Sequence, residues 1–403
     1  MNKKAFPIFL VFLCMGFGDV VGPLVGLVKD TFQLSYTMAQ LIPFSGFIMF
    51  GLLSVPMGIY QDKKGKKQVL ILGLAVALIG LLIPILNGMY GSPIEFNQGE
   101  YFNFYVVLIS IFVLCAGATI LQVVGNPIMR DVSPEGKFSK NLSFAQSIKA
   151  VGSSLGFLVP PLLAIYFGLE WSILFPIFAS LIVITLFMVS PLKISEYKDP
   201  DSKPASISSC FSLLKNGYVL MMVAAIFIYV GAEVSMSSGV PILVKENFGV
   251  EGFSLWVSWA LFFLPILLGR FLGSLILEKI LPKSFLIQTV ILAIIGVLLM
   301  FTGNQVITYI GIIFVGLGLA NIFPLIFSIA IDEMPERSNE LSGLMVTAIA
   351  GGAIIPLVMG QVSDLTNILT GFAVPLLCLL YILAVSVILL KKTSSENEML
   401  KEV

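Results

Sequence analysis

The chain has 403 residues, 58% of them hydrophobic and 11% charged, with Lys+Arg and Asp+Glu equal at 23 each. Soluble domains carry about 25% charged residues, so most of this chain cannot face water, and zero net charge offers no bulk attraction to nucleic acid. There is no histidine, which excludes imidazole proton relays, histidine metal sites and Ser-His-Asp chemistry together.

A bilayer span needs about 20 predominantly apolar residues. Such runs lie at 5–28, 37–60, 68–88, 103–128, 141–167, 170–191, 217–244, 253–278, 284–303, 306–331, 340–363 and 368–390. The expectation is an all-α membrane protein of twelve transmembrane helices, numbered here as spans one to twelve. Twenty of the Lys and Arg residues, Arg270 among them, fall in segments on the side of the N-terminus; only Lys29 and Lys245 fall on the other side. Basic residues stay in the cytoplasm, so both termini are expected there, in a cell (inner) membrane protein.

Three charges remain inside spans. Span one carries Asp19 in Gly16-Phe-Gly-Asp19, span five carries Lys149, and span seven carries Glu233 in Tyr229-Val-Gly-Ala-Glu233. A Lys near the middle of a span costs about 2.5–3.5 kcal/mol even on the milder insertion scale, so such a charge faces a cavity or a partner. Lys149 lies three residues after Gln146, on one helix face. Its compensator is either an internal carboxylate or a bound ligand. The plainer alternative is a permanent ion pair, Lys149–Asp19 or Lys149–Glu233, that only ties helices together.

Other polar groups sit beside helix breakers: Gln122 and Asn126-Pro127 in span four, and Asn321-Ile-Phe-Pro324 in span ten. Asn126 and Asn321 hold comparable places in their halves, and amides such as these can meet hydroxyl groups. The four cysteines, Cys14, Cys115, Cys210 and Cys378, show no metal-ligand spacing and read as small buried residues. The longest polar stretch, 193–209, follows span six.

The chain therefore divides into 1–192, a cytoplasmic linker 193–215, and 216–403. A repeat supports that division. Asp131-Val-Ser-Pro134-Glu135 follows span four, and Asp332-Glu-Met-Pro335-Glu336 follows span ten, 201 residues later. Leu142-Ser143 and Leu341-Ser342 then precede Gly152 and Gly351 in register. This argues for two parallel six-helix halves, with a site near the midplane between them.

Gly58-Ile-Tyr-Gln-Asp62-Lys-Lys-Gly65-Lys66-Lys67, between spans two and three, resembles the signature of the major facilitator superfamily. The resemblance implies the major facilitator fold, two pseudo-symmetric bundles working by alternating access. It also implies gating roles for Gly58, Asp62 and Arg270, the last in Gly269-Arg270-Phe-Leu-Gly273. With Asn126-Pro127, Asn141-Leu-Ser-Phe-Ala-Gln146, Tyr229 to Glu233, Gly318 to Ser328, Gly351 to Leu357 and Pro375 to Tyr381, the chain further resembles the fucose/glucose–galactose proton symporter family. That resemblance implies a sugar as the small-molecule substrate, of hexose or deoxyhexose type, moved by a monomer in symport with H+, and no other cofactor. It assigns proton coupling to Asp19, and Glu233 shares that expectation as the intramembrane acid of span seven. Substrate contact is expected from Gln122, Asn126, Gln146, Lys149 and Asn321. Where the family has an acid in the fourth helix this chain has Gln122, and where it has Asn in the fifth it has Lys149. The two changes leave open an organic anion or sugar acid with Lys149 as its carboxylate partner, and sodium in place of the proton. No metal site, catalytic residue or enzymatic activity is expected.

Overall fold

The computed structural model describes residues 6–94, 100–132, 138–192, 207–277, 280–334 and 337–401. Twelve helical stretches among them are long and apolar enough to cross a membrane. Spans one to six are Phe6–Thr31, Tyr36–Gln61, Lys66–Leu86, Phe102–Gly125, Ala145–Phe167 and Trp171–Val189. Spans seven to twelve are Gly217–Phe248, Ser254–Gly273, Pro282–Met300, Gln305–Ile331, Gly343–Leu365 and Ile368–Leu390. The described residues form no strand. The twelve-helix expectation holds, with ends displaced by a few residues.

Helix ends are built from the residues that cap them. Asn216, Asn304 and Asn367 accept, through their side chains, from Tyr218 N–H (2.9 Å), Ile307 N–H (3.2 Å) and Thr370 N–H (2.9 Å). These satisfy backbone donors that a helix start leaves unpaired. Span seven ends at Gly249, left-handed at φ 66°. In the signature stretch Gly65 stands at φ 88° and separates Lys64, which closes one helix, from Lys66, which opens the next. A side chain there would be strained.

The chain forms two compact units, residues 1–210 and 211–403. Of the expected linker, residues 193–206 lie outside the described ones. Its end is helical, as Ile207–Ser212 and the 3-10 turn Leu213–Lys215, because Cys210 and Leu213 are buried.

Glycine contacts repeat between the units. A methyl built on Gly80 of span three would strike the Leu114 nitrogen of span four, and one on Gly117 the Ala77 nitrogen. In the second unit a methyl on Gly296 would lie 2.7 Å from the Val315 nitrogen, and one on Gly318 would lie 2.6 Å from the Ala293 nitrogen. Spans three and four, and nine and ten, thus approach at the same registers. The same holds for spans one and five, where Gly152 abuts the Leu13 carbonyl, and for seven and eleven, where Gly351 abuts the Phe227 carbonyl. Lipid tails are as apolar as the helices, so membrane helices associate through such close packing rather than through hydrophobic exclusion.

Several spans are not continuous α-helix. Span one changes to a 3-10 turn over Gly16–Val20. Span eight contains a π turn, Trp259–Phe263. Span ten breaks between Leu319 and Ile322, and span eleven has a 3-10 turn at Ala348–Ala350.

Candidate functional site

In the first unit, the 3-10 turn of span one presents Asp19 toward span five. The Lys149 Nζ lies 3.1 Å from Asp19 Oδ2, with the two side chains 18% and 32% exposed. Ser153, one turn beyond Lys149, donates its hydroxyl to the same Oδ2 at 3.0 Å, and the Lys149 carbonyl is a second acceptor at 3.1 Å. Two glycines allow the approach: a methyl on Gly16 would strike the Lys149 carbonyl, and Gly152 packs on Leu13. The compensator of Lys149 is therefore internal.

Magnitudes suggest how firmly the pair is held. Placing a Lys and an Asp in a span costs about 2.5–3.5 kcal/mol each. Their attraction at this distance is about 5 kcal/mol at an effective dielectric near 20. The Ser153 hydrogen bond to an ionised group adds roughly 1.5 kcal/mol. The sum is near zero, so the pair and its hydrogen bond roughly offset the cost of placing both charges in the membrane.

In the second unit Glu233 meets a cation of its own unit. Its Oε1 accepts from Arg270 Nη2 at 3.3 Å, with side chains 25% and 32% exposed. Arg270, counted above with the cytoplasmic charges and expected to act in a gate, lies within span eight and bridges to span seven. Its Nε also donates to the Ala320 carbonyl at 3.3 Å. That carbonyl would ordinarily accept from residue 324, but Pro324 has no N–H. Tyr229, fully buried, donates to the neighbouring Leu319 carbonyl at 3.0 Å. The break in span ten is thus closed by side chains from spans seven and eight.

Asn321 belongs to the same arrangement. It is 5% exposed and donates through Nδ2 to the Gly269 carbonyl at 2.8 Å, while Gly273 leaves room for its amide. Its donor docks span ten onto span eight.

The other expected residues divide. Gln146 is half-buried, one turn before Lys149, and Gln122 is buried. The side chains of Asn126 and Asp62 lie outside the described ones. At Gly58, for which a gating role was expected, a methyl would meet only the Val123 side chain, at 4.0 Å. Ser153 escaped the sequence reading, although its i+4 spacing from Lys149 places both on one face. Arg270 was named for a gate, and its contact with Glu233 was not foreseen.

Each unit thus places one carboxylate of a membrane span against a cation. Asp19 lies six residues beyond Leu13, and Glu233 six beyond Phe227, so both acids keep one register from the carbonyl on which a glycine packs. The cations do not share this symmetry. The position in span eleven that corresponds to Lys149 is Ala348, 199 residues on, and the second cation comes from span eight.

Comparison with known proteins agrees with this architecture. The family model of the Major Facilitator Superfamily matches residues 8–357. The glucose/galactose transporter of Brucella abortus (strain 2308) is 28% identical over 386 residues, covering 93% of this chain and 90% of its own. The L-fucose-proton symporter of Escherichia coli (strain K12) is 26% identical over 391 residues, covering 87% and 84%. Among solved structures, the transporter FucP in its outward conformation superposes with a TM-score of 0.69 at 22% identity, over 96% of this chain and 98% of its own. An inward-facing bacterial homolog of the human lysosomal transporter Spinster gives 0.68 at 14% identity, over 94% of each chain. At such identities the structures speak for the fold alone. With twelve spans, two units repeating the same helix contacts and a family match over most of its length, the chain belongs to the Major Facilitator Superfamily and is a multi-pass membrane protein.

Proposed function

We propose that the protein is a secondary active transporter that moves a neutral sugar, of hexose or deoxyhexose type, across the cytoplasmic membrane by alternating access in symport with protons. The observation that carries this reading is the Asp19–Lys149 pair at 3.1 Å. The names of the relatives, glucose/galactose transporter and L-fucose-proton symporter, supply the substrate class. The two halves, 1–192 and 216–403 with 193–215 as connector, are the units of the cycle, and the chain acts as a monomer with both termini in the cytoplasm.

Coupling follows from the charge balance. Protonating Asp19 removes the acceptor of Lys149 and leaves an ammonium uncompensated in the membrane, at a cost of about 2.5–3.5 kcal/mol. A sugar whose hydroxyl oxygens accept from Lys149 supplies a replacement. Proton and sugar each lower the cost of binding the other, and by linkage the effect is reciprocal. Gln146, one turn away, is placed to meet a further hydroxyl. Glu233 and Arg270 offer a second carboxylate that can take a proton. The pairing of Lys149 with a carboxylate of the protein favours a neutral substrate over a sugar acid.

The test is uptake by the purified chain in proteoliposomes. Under an imposed proton gradient, labelled galactose or fucose should accumulate, collapse with a protonophore and compete with other neutral hexoses. Accumulation that follows a sodium gradient and ignores the proton gradient would overturn proton coupling. Competition by hexuronates alone would overturn the neutral substrate.

A further inference from the structure

Beyond its break, span ten continues as helix Ile322–Glu333. Ile322, Leu325, Ile326, Ile329 and Ala330 are buried in the unit, whereas Phe323 and Phe327 are half-exposed on another side. The two phenyl rings stack at 5.9 Å between centroids with 24° between planes. Phe323 also leans on Tyr229, at 6.3 Å and 42°.

Two links join this aromatic face to the ion pair. Tyr229 stands four residues before Glu233, on one face of span seven. Ala320, whose carbonyl receives Arg270, lies in the break just ahead of Phe323. The rings and the charges therefore border one strip of surface. A half-exposed ion pair in a membrane span faces an aqueous cavity rather than lipid, which places the strip on the aqueous side. Arg270 has five N–H donors in a planar fork; its Nε goes to the Ala320 carbonyl and its Nη2 to Glu233.

An aromatic face beside a charge-neutral donor–acceptor pair matches one ligand chemistry. A pyranose ring presents an apolar C–H face to stack on aromatic carbons, and vicinal hydroxyls at its edge to meet charged groups. Because Glu233 matches the charge of Arg270, the strip favours a neutral ligand.

We propose that Phe323 and Phe327 form the stacking platform of a pyranose subsite in the second unit, with Arg270 donating to one ring hydroxyl and Glu233 accepting from its neighbour. The proposal rests on sugar transport as read above and adds the residues that recognise the ring. It requires a cyclic sugar: an open-chain alditol with the same hydroxyls has no C–H face to lay on the phenyls.

Equilibrium binding of labelled galactose or fucose to the full chain in nanodiscs tests it, with galactitol as competitor. Phe323→Leu should weaken binding about tenfold, the value of one lost aromatic contact, and Phe323→Tyr should restore it. Phe187→Leu, which removes a ring 77% exposed on span six, should leave binding unchanged. Galactitol should compete at least tenfold less well than galactose. Should Phe323→Leu misfold, Phe327→Leu and the galactitol competition decide the matter alone. A wild-type chain that binds the sugars, with Phe323→Leu and Phe327→Leu binding equally well or galactitol competing equally, overturns the subsite and leaves the transport reading standing. A wild-type chain that binds and transports no sugar overturns both.

Discussion

Asp19 and Glu233 occupy one register, 214 residues apart, each six residues beyond a carbonyl that a glycine of its unit packs against. The carboxylates are thus duplicated while their cations are not: Lys149 comes from span five and Arg270 from span eight. The first pair joins two helices. The second also holds a helix break through the Ala320 carbonyl.

Asp19→Asn should abolish accumulation against a gradient while preserving sugar counterflow, because exchange needs no net proton movement. Proteoliposome assays separate the two. The variant leaves Lys149 unpaired, so thermal unfolding should drop. Removing one partner of a buried pair costs 3–5 kcal/mol, and partial exposure reduces this to about 1–3. Adding Lys149→Gln should recover much of that stability. A single mutant that still accumulates sugar removes Asp19 from the coupling.

Asn321→Ala should separate docking from substrate contact. Losing the 2.8 Å bond to the Gly269 carbonyl should cost roughly 1 kcal/mol, seen as a lower unfolding temperature. Sugar affinity should change less than twofold in the folded protein. A large loss of affinity at unchanged unfolding temperature would show that Asn321 touches substrate.

Pro324→Ala returns an N–H opposite the Ala320 carbonyl, where Arg270 now donates. Span ten should then wind continuously across 320–324, and the guanidinium should lose one of its two described acceptors. Hydrogen exchange should show increased protection at residues 323–325, and the transport rate should fall several-fold without loss of protein. Unchanged exchange at those positions would show that the proline does not maintain the break.

Gly351→Ala and Gly58→Ala should behave oppositely. The first drives a methyl into the Phe227 carbonyl; the second meets only the Val123 side chain at 4.0 Å. Overpacking costs about 1–3 kcal/mol, so Gly351→Ala should lower the monodisperse yield in detergent and the unfolding temperature. Gly58→Ala should match the wild type in both.

The residues themselves announce the twelve spans, because the apolar runs are long and the charged residues few. The duplication was readable too: the Gly152 and Gly351 register, noticed as a repeat, marks two equivalent helix contacts. Asp19, Lys149 and Glu233 stood out by their cost in a membrane. Their pairing could not be read, since which carboxylate meets Lys149 depends on how spans one, five and seven pack. That Arg270 would meet Glu233 could not be read either: eight residues separate it from the expected end of its span, and a positive charge so near a helix end can reach the interface by extending its stem. Asn321 was expected to meet substrate because a proline near an asparagine signals freed backbone, and its bond to the Gly269 carbonyl was not foreseen. The structure shows the freed groups taken up within the protein.

Asp19 is carried on five residues, Gly16–Val20, wound as a 3-10 turn inside an α-helical span. A 3-10 turn rises about 2.0 Å per residue with 3.0 residues per turn, against 1.5 Å and 3.6 residues for an α-helix. Rewinding those five residues into α-helix would shorten span one by about 2.5 Å and rotate everything beyond it by roughly 100°. Val21–Thr31 would turn as on a screw thread. The face those residues show to their neighbours would then depend on the winding of the short segment that carries the carboxylate.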